Sequence, residues 1–144
     1  MNERLALPAA LTAADVLATA ANAPRLLGSH IFFDAYDCAS PLPSLEKFQA
    51  VAEQLAALAG GEILAVQHHC FTPHGLTLTA ILSASHLAIH TWPEHRFIAI
   101  DVFTCSPDHD FEAMADYLKS ALGCARLVQR QAPRGHALAS HRAG

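Results

Sequence analysis

Lysine is almost missing from this sequence: among 144 residues only Lys47 and Lys119 carry a side-chain amine. Both fall on predicted helix surfaces, so a cofactor held as a lysine Schiff base is poorly supported. Charge of either sign is sparse, at 15% of residues, and the net charge is -4. That argues against nucleic acid as a partner, since such proteins present a basic face. The arginines of the C-terminal segment, Arg126, Arg130, Arg134 and Arg142, have no aromatics among them to stack on bases and read as solvated. No stretch approaches the ~18 unbroken apolar residues of a membrane span. Cys38, Cys70, Cys105 and Cys124 form no CxxC pair, and their spacings suit no zinc ribbon. A chain of this size rich in apolar residues does not need disulfides, so free thiols in a reducing cytoplasm are expected.

Hydrophobic residues are abundant, at 52%, above the usual share for a soluble domain. Part of the excess is alanine near the N-terminus. The remainder is more apolar surface than a monomer can cover, and an oligomer is expected. The length fits one domain with its own core. Residues 1–25 carry Ala-x-Ala patterns like those of a signal peptide, but Glu3, Pro8 and Asp15 interrupt the apolar run. They read instead as an Ala-rich extension. The domain proper is expected over residues 26–131, with a basic tail over 132–144.

Within the domain, Leu26–Cys38 reads as a strand centred on Ile31, Phe32 and Phe33. Ser44 suits an N-cap, and Leu45, Phe48, Val51, Ala52, Leu55 and Leu58 recur at helical spacing before Gly60 and Gly61. Strands follow over Glu62–Cys70, Leu76–Ser83, His86–Thr91 and Arg96–Thr104. Asp108 is the expected cap of a second helix, with Phe111, Met114, Ala115, Leu118 and Leu122 on its buried face. Cys124–Gln131 is a last strand. The order β-α-β-β-β-β-α-β predicts an α+β fold: a two-layer sandwich with a largely antiparallel sheet and helices packed on one face.

The densest chemistry lies between His74 and Cys105. Strand alternation puts His86, Ala88 and His90 on one face and Leu87 and Ile89 on the other. Ser85 and Cys105 flank this face, a set that suits nucleophile, base and proton donor and equally a polar strand face with a buried thiol. His68, His69, Cys70 and His74 do not converge on a metal, because alternation sends His69 to the face opposite His68 and Cys70. His30 reads as a satisfied strand histidine. Cys38, Cys70 and Cys124 read as small buried residues.

The run SHLAIHTWPEHRFIAIDVFTC, with LLGSHIFFDAYDC and CFTPHGLTLTAILSASH before it, resembles the prokaryotic S-adenosylmethionine decarboxylase family. The resemblance covers about residues 26–131, and SHxxIHTWPE followed by DVFTC is a specific signature. It implies a proenzyme in which the Ser85 hydroxyl attacks the Ala84 carbonyl, and the resulting ester breaks by elimination. The later chain then begins with a pyruvoyl group made from Ser85. That group binds the substrate amine as a Schiff base and acts as electron sink while carbon dioxide leaves. His90 is then the base that assists elimination, and Thr77 stands where a small hydroxyl residue helps the acyl shift. Cys105 is the proton donor in decarboxylation, a task that suits a thiol near neutral pH. Phe71 stacks on adenine and Glu94 accepts hydrogen bonds from ribose. No metal is implied. The partners are S-adenosylmethionine, on the route to spermidine and other polyamines, and a second copy, in a homodimer of processed protomers with the site near the interface.

Two positions depart from the family. Ala84 replaces a usual glutamate. The cut needs only the hydroxyl and a polarised carbonyl, so self-processing is still expected, but the lost carboxylate bears on how a cationic substrate is held. Asp37 stands where glycine is usual. Decarboxylation of another amino acid, arginine or ornithine, and a homologue that never cuts remain as alternatives.

Overall fold

The structure, a computed structural model, describes residues 26–135; the proposed extension 1–25 and most of the basic tail lie outside them. The element order is β1 (Gly28–Tyr36), α1 (Leu45–Leu58), β2 (Ile63–Cys70), β3 (Leu76–Leu82), β4 (Ser85–Trp92), a 3-10 turn (Pro93–His95), β5 (Phe97–Thr104), α2 (Phe111–Leu122) and β6 (Arg126–Arg134). The six strands form one sheet in the order β2-β3-β4-β5-β1-β6, and every pair is antiparallel. This is the expected α+β sandwich.

Alternation builds the core. Ile31, Phe33 and Ala35 of β1, Leu87 and Ile89 of β4, and Ile98, Ile100 and Val102 of β5 are buried on one face. Phe48, Val51, Ala52 and Leu55 of α1 and Met114, Ala115, Leu118 and Leu122 of α2 pack against them. Each long side chain here contributes roughly 1.5–3 kcal/mol of burial. The helices cover this face alone; α1 lies over β3 and β4, and α2 over β1 and β6. The other face is open among the described residues and carries His30, Phe32, Tyr36, His86, His90, Trp92, Phe97 and Phe103. Among the described residues no helix is long and apolar enough to cross a membrane.

The helix ends follow local chemistry. Ser44 caps α1 by accepting from the Lys47 N–H. The cap of α2 is Asp110, not Asp108: its carboxylate accepts from the Ala113 N–H at 2.9 Å. Asp108 lies two residues too early, where its own N–H donates to the Ser106 hydroxyl. The last strand starts at Arg126 rather than Cys124 and runs to Arg134, with Pro133 opposite Ser29. Proline is accepted there because β6 is an edge strand, so its missing N–H breaks no interior ladder. Asp37 has φ +52°. That left-handed conformation favours glycine, and aspartate is among the few other residues that enter it routinely.

Thr104 locks the end of β5 to the end of α1. Its buried hydroxyl donates to the Ala59 carbonyl at 2.7 Å and accepts from the Ser106 N–H at 3.1 Å. Each such bond is worth about 1 kcal/mol net. The lock fixes the backbone immediately before Cys105.

Candidate active site

β3 and β4 are joined by a two-residue turn, Ser83-Ala84, with Leu82 paired to Ser85. The turn is tied to the segment before β2. The Ser83 N–H donates to the Glu62 carbonyl at 2.9 Å, and the Glu62 N–H donates to the Ser83 hydroxyl at 3.0 Å. Gly61 allows the close approach, since a Cβ there would lie 3.0 Å from both the Ala84 Cβ and the Ser83 Oγ. On the other side, the Cys105 N–H donates to the Ala84 carbonyl at 2.8 Å. Ser85 has φ +138°, a conformation that costs a residue with a side chain about 1–3 kcal/mol and is held only where the surroundings impose it. The register of β4 groups Ser85 with the core positions Leu87 and Ile89, yet its Oγ lies 3.2 Å from Nδ1 of His86, a residue of the open face. So Ala84, Ser85, His86 and Cys105 form one cluster, with the thiol-bearing residue exposed.

A second cluster lies at the other end of β4. Thr77 pairs with His90 in the ladder, and its hydroxyl oxygen is 3.0 Å from the His90 Nδ1. Phe71, His74, Thr77, His90, Trp92 and Glu94 line a cleft of about 260 Å³. Phe71 is 51% exposed and meets the His69 ring edge-on, with centroids 4.6 Å apart. Gly75, at φ +107°, turns the chain under it. Glu94 is the middle residue of the 3-10 turn and its carboxylate lies 3.1 Å from the His74 Nε2. Sequence reasoning gave His74 no part in the site; 20 positions separate it from Glu94, and no local signal joins them.

The expected site residues therefore fall into two groups that one chain does not bring together. Ser85 and His90 are five positions apart on β4, about 16 Å at a strand's rise of ~3.3 Å per residue. His68, His69, Cys70 and His74 do not assemble either: among the described residues no three metal-binding side chains converge.

The remaining thiols and His30 differ in part from their expected state. Cys38 is buried, which pushes its thiol up to about 11 and keeps it protonated. Cys124 is half-buried and also raised by burial. Cys70 is exposed, because β2 is an edge strand with nearly all its residues open to solvent. His30 is not fully satisfied. Its Nδ1 is 3.4 Å from the Arg134 guanidinium, while its Nε2 is buried without a partner among the described residues.

Three comparisons bear on this arrangement. The family model for S-adenosylmethionine decarboxylase matches residues 29–135. The chain is 36% identical over 110 residues to the S-adenosylmethionine decarboxylase proenzyme of Thermoanaerobacter sp. (strain X514), covering 76% of this chain and 89% of that one. It is 36% identical over 112 residues to the proenzyme of the same name from Thermotoga maritima, covering 77% and 86%. The crystal structure of the adenosylmethionine decarboxylase from Aquifex aeolicus VF5 superposes with a TM-score of 0.68 at 30% identity, covering 78% of this chain and 93% of that one.

Proposed function

Because this chain belongs to the S-adenosylmethionine decarboxylase proenzyme family, we propose that it cuts itself between Ala84 and Ser85 and keeps the pyruvoyl group that Ser85 becomes. Family membership makes it a carboxy-lyase acting on S-adenosylmethionine. The observation that carries the self-cutting reading is the turn itself: a serine at φ +138° next to a carbonyl already held by the Cys105 N–H. A hydrogen bond to a carbonyl oxygen stabilises the negative charge that develops there under attack, and the cut relieves the imposed conformation. These residues fit the group they would generate. The pyruvoyl group supplies an electron sink for the electrons left when carbon dioxide departs. Around it, Cys105 supplies a thiol that can return a proton to the substrate carbon. Phe71 offers an exposed ring for adenine, and Glu94 offers a carboxylate for ribose hydroxyls.

The test is denaturing mass spectrometry followed by a carbon dioxide release assay. Incubated protein should resolve into residues 1–84 and a pyruvoyl-started 85–144. It should release carbon dioxide from S-adenosylmethionine in preference to arginine or ornithine. An intact chain after long incubation would defeat the reading.

The working unit in this proposal is a homodimer. The support is the separation of the two clusters and the uncovered sheet face with its aromatics, including Trp92 at 40% exposure. Two copies packed by their open faces about a two-fold axis running across the strands would set the Thr77–His90 end of one against the Ser85 end of the other. His90→Ala and Ser85→Ala chains should each stay uncut when made alone. When they are made together, the His90→Ala chain should be cut, since a mixed pair joins an intact Ser85 to an intact His90. Co-production without any cut chain would place both groups in one protomer and remove this basis for the dimer.

A further inference from the structure

We infer that His86 is a catalytic residue of self-processing: it takes the Ser85 hydroxyl proton as Oγ attacks the Ala84 carbonyl, and passes it to the departing amine. The inference rests on the self-cutting reading and divides its chemistry between two histidines. His90 has its Nδ1 against the Thr77 hydroxyl at 3.0 Å, at the far end of β4. The imidazole that touches the nucleophile is His86, whose Nδ1 lies 3.2 Å from the Ser85 Oγ. Within hydrogen-bond reach of the proton, a base is judged first by geometry. In the tautomer with its proton on Nε2, the His86 Nδ1 is an acceptor and the serine O–H donates to it.

The ring is held for this task. It lies parallel to Phe103, with centroids 5.6 Å apart and an interplanar angle of 4°, so its free rotation is restricted. His30 stands edge-on at 6.3 Å. Burial, partly offset by the Asp101 carboxylate, holds His30 below its ordinary value. It therefore stays neutral and does not repel a proton arriving on His86.

The step balances without a co-reactant. The Oγ–C bond to Ala84 forms, the Ala84–Ser85 C–N bond breaks, and the hydroxyl proton travels through His86 to the Ser85 nitrogen. The amide becomes an ester. The later removal of the Ser85 α-proton, which breaks that ester, is a separate transfer and remains with His90.

Hydroxylamine separates the two stages, because it captures an ester at Ala84 as a hydroxamate and leaves an amide alone. In the purified full-length chain, His86→Gln should slow cutting by about 10²-fold, the low end for a lost general base, and should slow hydroxamate formation to the same degree. The Ser85→Cys/His86→Gln chain should recover hydroxamate, since a thiol ionises near neutral pH without a base; a purely structural loss would not be rescued. Cutting of His86→Gln within about twofold of the parent, hydroxamate formed by His86→Gln at the parent rate, or a double variant that resists hydroxylamine would each overturn the inference. If His86→Gln melts well below the uncut Ser85→Ala chain, His86→Thr, with a β-branched side chain suited to a strand, takes its place. A parent chain that never cuts defeats the self-cutting reading instead, so the two failures are distinguishable.

Discussion

Replacing Ser85 with alanine is expected to leave one uncut chain of 15.4 kDa with no measurable decarboxylation. The loss should be complete, at least ~10⁶-fold, because the change removes the nucleophile and the source of the electron sink together. The fold should survive. Alanine keeps the main-chain pairing of position 85 with Leu82 and Thr104 and removes only a hydroxyl whose partner is the adjacent His86. Denaturing mass spectrometry and a carbon dioxide release assay on the same sample check both halves. Any fragment beginning at position 85 in this variant would show that the cut does not depend on the hydroxyl.

Cys105→Ala is expected to separate the two activities. Its contribution to the cut is the main-chain N–H that holds the Ala84 carbonyl at 2.8 Å, and alanine retains it. The chain should therefore process at close to the parent rate. Turnover of S-adenosylmethionine should fall by about 10²–10⁴-fold, as expected for loss of a positioned proton donor. Time courses of cutting and of carbon dioxide release on one preparation check this. Normal turnover would assign the returning proton to another group, and failure to cut would give the thiol a part in maturation.

Most of the fold was legible in the sequence because its strands alternate cleanly. In β4 the faces read from Leu87 and Ile89 against His86 and His90 are those observed, and all eight main elements occur in the expected order. What was not legible depends on position within the sheet. The sequence of β2 does not mark it as an edge, yet it lies at one, and Leu64 is 63% exposed. The same edge exposes Cys70. The expected last strand stops at Gln131; the observed one runs through Pro133 to Arg134, which is tolerated because β6 is the opposite edge. The cap of α2 slipped from Asp108 to Asp110 because two aspartates separated by one residue offer equal chemistry, and only the turn around Ser106 decides between them.

The site was legible as a set of residues but not as an arrangement. Ser85 and His90 look adjacent on paper, while an extended chain holds them apart by about 16 Å at ~3.3 Å per residue. The φ of Ser85 and its contact with His86 are consequences of the tight Ser83-Ala84 turn and its ties to Glu62 and Cys105. Asp37 sits at φ +52°, a conformation that glycine enters without cost and that strand alternation does not reveal.

The strand order also governs what a break at Ala84-Ser85 does to the molecule. Residues before it supply β1, β2 and β3, and residues after it supply β4, β5 and β6. In the sheet these are interleaved, with β1 inserted between β5 and β6 and β3 running beside β4. The halves thus share three ladders and one core, and neither can leave without opening all of them. Such a cut would yield four chain ends in place of two without yielding two separable bodies. The new ends would lie at the nicked turn, beside Cys105, where a continuous backbone could not present a reactive carbonyl terminus.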